Sequence, residues 1–88
     1  MDILKNASSG TLESSDAYVE ISKSDVLTVE IESVVKQQFG KEIEAAVFDV
    51  LKEQGVDAAF VKVIDRGALE CVIRARVETA ALRAKEEK

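Results

Sequence analysis

The chain has 88 residues, 47% hydrophobic and 33% charged, which is room for one small core and no second domain. Twelve Lys and Arg against seventeen Asp and Glu leave a formal net charge of −5, which disfavours nucleic acid and anionic membrane, since both demand a cationic face. There is no histidine and one cysteine, Cys71, so Ser-His-Asp and Cys-His groups, His zinc sites, internal disulfides and CxxC pairs are all excluded.

Residues 1–9 show no sustained period, and they are expected to form a flexible arm ahead of one domain over residues 10–88. After Gly10, the segment Ser14-Ser15-Asp16 predicts a turn leading into a strand, in which Val19 and Ile21 alternate with Tyr18 and Glu20. Ser24-Asp25 marks another turn. From Val26 the alternation predicts a second strand, with Val29, Ile31, Val35 and Phe39 on one face and Glu30, Glu32, Lys36 and Gln38 on the other. Val34 spoils that second face, so a helix starting at Ser33 is the alternative.

Gly40 breaks the pattern, and residues 41–54 read as a helix with Ile43, Val47, Val50 and Leu51 in one stripe and Gly55 as its C-terminal cap. Residues 59–64 (AFVKVI) are apolar on both faces, as an interior strand is. Asp65-Arg66-Gly67 is a turn in which Asp65 could cap the next helix. That second helix runs from Ala68 to about Lys85, with Leu69, Val72, Ile73, Val77 and Ala80 inward and Glu70, Arg74 and Glu78 as an ionic edge. The expected fold is α+β in two layers: a small mixed three-stranded sheet covered on one face by two helices, in the order strand, strand, helix, strand, helix.

Six of the serines fall within the first 24 residues. Ser14 can be read as a turn former or as a hydroxyl displayed for covalent modification, with Glu13 and Asp16 placed to position an incoming group; chemistry alone does not separate it from Ser15. Cys71 reads as a small apolar filler, and no histidine exists to activate it. Phe48 opposes the Ile43 stripe, as a tolerated surface aromatic, as one covered by the N-terminal arm, or as an anchor for a larger partner. Arg76 and Arg83 project from one side of the second helix, either padding the core edge with their stems or meeting phosphates or a partner's acidic surface, and Arg66 is a weaker candidate for the same contacts. Glu42, Glu44 and Asp49 read as a solvated face.

Gly10-Thr11-Leu12-Glu13-Ser14-Ser15-Asp16 resembles the modification motif of the citrate lyase acyl carrier proteins, the gamma subunits. The likeness continues through Phe39-Gly40, Phe48-Asp49-Val50-Leu51 and Arg66-Gly67-Ala68-Leu69-Glu70-Cys71 to Ile73-Arg74-Ala75-Arg76. The resemblance implies a non-catalytic carrier whose Ser14 holds phosphoribosyl dephospho-coenzyme A through a phosphodiester. Members carry glycine or serine at the position of Ser15, which argues against Ser15 as the attachment point.

The resemblance implies three partners: a prosthetic-group transferase, the transferase (alpha) subunit that exchanges acetyl for citrate, and the lyase (beta) subunit that cleaves the citryl thioester to oxaloacetate. On that reading the reactive thiol belongs to the cofactor, and the chain is not an enzyme by itself. With no apolar run of the ~18 residues that span a bilayer, and no signal-peptide core, a cytoplasmic location is expected. Carriers of citramalate lyase or malonate decarboxylase, and an unmodified protein-interaction module, are the alternatives.

Overall fold

The computed structural model describes residues 3–34 and 36–85. Over these, the chain runs β1 (Ala7–Gly10), β2 (Ala17–Ser22), β3 (Leu27–Ser33), α1 (Lys36–Glu53), β4 (Ala59–Asp65) and α2 (Glu70–Lys85). The sheet order is β1-β2-β4-β3. β1 pairs with β2 and β2 with β4 antiparallel, while β3 and β4 are parallel neighbours joined through α1. The architecture is therefore α+β with a mixed sheet, as expected, but the sheet has four strands rather than three.

The extra strand comes largely from the segment expected to be a flexible or loosely docked arm. Ala7–Gly10 is too short to show a hydrophobic period, yet its backbone completes a ladder with β2 in which Ala7 faces Ile21 and Gly10 faces Tyr18. Ahead of it, Ile3 is buried in the core. The N–H groups of Leu4 and Lys5 both donate to the Ala84 carbonyl, at 2.9 and 3.2 Å, which supplies donors to an end of α2 whose carbonyls have none within the helix. Residues 3–9 are thus docked; Met1 and Asp2 lie outside the described residues.

β4 earns its central place from composition. Val61 and Val63 are wholly buried on the helix side, while Phe60, Lys62 and Ile64 line the other face half-buried. Only a strand flanked on both sides needs apolar groups on both faces. β3, at the edge, alternates half-buried Leu27, Val29 and Ile31 with exposed Thr28, Glu30 and Glu32. Charged side chains on an edge discourage further strand pairing.

α1 starts at Lys36, five residues before the expected position, so the helical alternative was the nearer one there. Gly40 lies inside the helix, where tertiary packing tolerates its propensity cost of about 1 kcal/mol. Val35 and the side chains of Lys36 and Gln38, expected on the two faces of a strand, lie outside the described part of the chain. At the other end, Gly55 has φ +70°. The Val56 N–H reaches the Leu51 carbonyl at 2.9 Å and the Gly55 N–H that of Lys52 at 3.0 Å, the paired bonds of a Schellman cap.

α2 buries Ile73, Val77, Ala80, Ala81 and Ala84. Two residues expected on that side are outside it. Leu69 is 71% exposed: its carbonyl accepts from Val72 and Ile73 at 3.0 and 3.1 Å, so it is the N-cap position, where the backbone has left the helix and the side chain escapes the stripe. Cys71 is exposed, not buried filler, because at about 100° per residue it lies about 200° around the helix from Ile73. Arg74 sits on the predicted ionic edge, donating to Glu70 at 3.1 Å and to Asp49 of α1 at 3.2 Å.

Candidate functional site

The loop from Thr11 to Asp16 connects the β1–β2 hairpin, and its backbone is held at several points. Asp16 donates its N–H to the Glu13 carbonyl at 3.2 Å, closing a turn with Ser14 and Ser15 as its central residues. Ser15 has φ +65°, as the third residue of a type II turn requires. That left-handed conformation costs a residue bearing a Cβ about 1 kcal/mol. It supplies the physical reason for the glycine-or-serine choice that the resemblance implies at this position: the residue is there to bend the chain. Ser14 crests the turn, exposed, and its hydroxyl makes no hydrogen bond to the described residues.

A second loop grips the first. The Ser15 N–H donates to the Arg66 carbonyl at 2.8 Å and the Arg66 N–H to the Asp16 carbonyl at 2.9 Å, prolonging the β2–β4 ladder past its last pair, Ala17 with Asp65. The 66–69 loop is itself fixed by Asp65. That side chain, 1% exposed, accepts from the Gly67 and Ala68 N–H groups at 3.1 and 2.8 Å and from the Ser33 hydroxyl at 2.7 Å. Asp65 thus caps the turn itself rather than the next helix, as had been expected of it, because its carboxylate accepts from Gly67 and Ala68 ahead of α2.

Asp16 is the charged pivot. The Arg76 guanidinium donates to both carboxylate oxygens, Nε to Oδ1 at 3.0 Å and Nη2 to Oδ2 at 2.9 Å. Thr11 Oγ1 adds a bond of 2.6 Å and the Ala17 N–H one of 2.7 Å. The Arg76 bonds, then those of Thr11 and Ala17, hold the Asp16 carboxyl at about 2 against its usual 3.8. A depressed folded-state pKa adds stability that is fully present above the unfolded value and disappears as the pH falls through the folded one. The clasp therefore operates above about pH 4 and opens toward about pH 2. Arg76→Gln is expected to return the Asp16 titration midpoint toward 3.8, measured from the carboxyl carbon shift by NMR; an unchanged midpoint would show that Arg76 is not what holds it.

The structure separates the other candidates. Arg76 is committed to Asp16, and Arg83 donates to the Ser8 carbonyl at 2.9 Å, so both guanidinium groups pin the front of the chain to α2. Arg66 has its backbone in the clasp and its side chain exposed, without a partner among the described residues. Phe48 is 38% exposed on α1. Sequence reasoning did not find the Asp16–Arg76 pair, which joins residues 60 positions apart; the available signal was an arginine on the core side of a helix, which needs an acid to meet it.

A family model described as the malonate decarboxylase delta subunit matches residues 4–84. The citrate lyase acyl carrier protein 2 of Salmonella paratyphi A is 53% identical over 89 aligned positions, covering 99% of this chain and 92% of that protein. The citrate lyase acyl carrier protein of Haemophilus influenzae (strain PittEE) is 54% identical over 87, with the same coverage. The chain belongs to the citrate lyase acyl carrier protein family. Among solved structures, a chain of a Pseudomonas malonate decarboxylase hetero-tetramer, crystallised with malonate, shares the fold: the TM-score is 0.81 at 20% identity, covering 96% of this chain and 88% of that one.

A covalent prosthetic group is what the family implies, and the residues fit one. The Ser14 hydroxyl is exposed and unbonded, on a turn whose ends are fixed. A surface groove lies between β3 and the start of α1, lined by Val29, Ile31, Lys41 and Glu44, and no residue of the 11–16 loop borders it. A group on Ser14 would extend outward from the body.

Proposed function

We propose that this chain serves citrate lyase as its acyl carrier, through phosphoribosyl dephospho-coenzyme A held on Ser14. The observation that carries the reading is a free serine hydroxyl at the crest of a clamped turn, within a chain 53% identical to a citrate lyase acyl carrier protein. The group's terminal thiol supplies the thioester chemistry. The protein supplies an exposed attachment oxygen, a turn that keeps it outward, and an exposed Arg66, which we propose meets phosphate oxygens of the arm.

The proposed cycle involves two catalytic partners. The alpha subunit exchanges the carried acetyl for citrate, releasing acetate and leaving a citryl thioester. The beta subunit splits that thioester into oxaloacetate and the original acetyl thioester. Tethering makes each encounter intramolecular, at an effective concentration of order mM for a suitable linker. The carrier body includes residues 3–10, because Ile3 is buried in the core and Ala7–Gly10 pairs with β2. No helix among the described residues is long and apolar enough to cross a membrane, and a cytoplasmic location is part of the same proposal.

Adding citrate to the loaded carrier and the two catalytic subunits tests the cargo. Oxaloacetate should form with citrate and not with citramalate; turnover of citramalate alone would assign the carrier to the related complex. Phe48 is proposed as a contact for the large subunits. Phe48→Glu should leave the melting temperature nearly unchanged, as exposed substitutions usually do, and reduce co-purification with those subunits. Undiminished co-purification would remove that contact.

A further inference from the structure

The end of the sheet that displays Ser14 also displays apolar side chains for which the core has no use. Leu12 is 53% exposed, Val34 64% and Leu69 71%. They belong to three loops held together there. Leu12 is in the 11–16 loop, Leu69 ends the 66–69 loop clasped to it, and the Val34 N–H donates to the Asp65 carbonyl at 3.3 Å. The register agrees, since Ser33, Asp65 and Ala17 lie in one row across β3, β4 and β2. Beside them the Arg66 side chain is exposed and unpartnered among the described residues, in a chain of net charge −5. Exposed apolar groups on three linked loops at the end of the sheet that carries Ser14 offer a contact surface.

We propose that Leu12, Val34 and Leu69 form the docking surface for the enzyme that loads Ser14, a partner presenting an apolar patch beside a bound, phosphate-rich nucleotide donor. The inference rests on the assignment of Ser14. What selects this occupant is reach. Subunits that use the acyl group meet a thiol at the far end of a long arm and need not cover its root. The loading enzyme must bring an activated phosphorus to bonding distance of Ser14 Oγ, so its surface covers the rim of the turn. In that step the oxygen attacks phosphorus, the new P–O bond replaces a phosphoanhydride bond of the donor, the displaced phosphate leaves with the donor's electron pair, and the hydroxyl proton passes to solvent or to a base of the enzyme. Arg66 faces the accumulating negative charge from the carrier side.

The test is steady-state loading of the full-length chain by the purified prosthetic-group transferase and its nucleotide donor, read by intact mass. For Leu12→Ser/Leu69→Ser, KM for the carrier should rise about tenfold or more with kcat little changed, as losing apolar contacts at an interface centre does. Leu69→Lys repeats the test if the double variant folds poorly, and melting curves report on folding for each. Unchanged KM in a folded variant overturns the docking surface. So does normal loading with impaired citrate turnover, which would give the surface to the catalytic subunits, or a carrier whose wild-type form self-associates through these leucines. The wild-type reaction reports separately on the attachment: if Ser14 is not loaded at all, that assignment fails first, and the docking surface with it.

Discussion

Ser14→Ala is expected to abolish prosthetic-group attachment completely. When the chain is produced with the prosthetic-group transferase, the wild type should gain the mass of phosphoribosyl dephospho-coenzyme A and the Ser14→Ala protein should gain none. The effect is all-or-none because a phosphodiester needs a nucleophilic oxygen, and the methyl group of alanine has no substitute for it. Ser15 gives the sharper comparison. Its φ of +65° makes it a bending residue, so Ser15→Ala should still be loaded and Ser15→Gly should be loaded with a slightly more stable turn. A gain lost in Ser15→Ala and kept in Ser14→Ala would move the attachment by one residue and overturn the reading of the turn.

Gly10→Ala should be the most damaging single methyl in the chain. Gly10 has φ +94°, where a side chain is strained whatever the space around it. A Cβ there would run into the Ala17 carbonyl oxygen and lie 3.1 Å from the Arg76 Cδ. The first obstacle is backbone, which can yield only if β1 separates from β2, and the second is the stem of the arginine that clasps Asp16. Strain of roughly 1–3 kcal/mol and overpacking of a similar size combine here. For a domain of this length that lowers the melting temperature by more than about 10 °C. The same substitution at Gly67, whose φ is +90° but whose Cβ would meet nothing within 4 Å, should cost only the backbone strain. Equal losses at the two positions would mean that the contact with Ala17 carries no weight.

Much of this fold was legible because its periods are local. β2, β4 and α2 appear close to where alternation and 3.6-residue stripes place them, α1 begins five residues ahead of its stripe, and the double-sided apolar run at 59–64 marked the central strand. Where sequence reasoning failed, a partner rather than a period was responsible. β1 is four residues of Ala, Ser and Gly, which carry no periodic signal and become a strand only because β2 offers a free edge. Leu69 and Cys71 were expected inside; the exact start of α2, which no pattern determines to the residue, turned Leu69 outward, and Cys71 lies on the helix face away from Ile73.

The candidate site divides along the same line. Sequence alone supplied the inventory: no histidine, one cysteine, and near the start a Glu-Ser-Ser-Asp segment, whose likeness to the citrate lyase acyl carrier proteins implied a carried reactive group. Those are facts of inventory and of likeness, and they need no folding to be true. Only the tertiary structure decided which residues hold the turn in place. The Asp16–Arg76 pair and the clasp of Arg66 on Ser15 join parts of the chain about 50 to 60 residues apart, and contacts at that separation exist only once helix and sheet have packed.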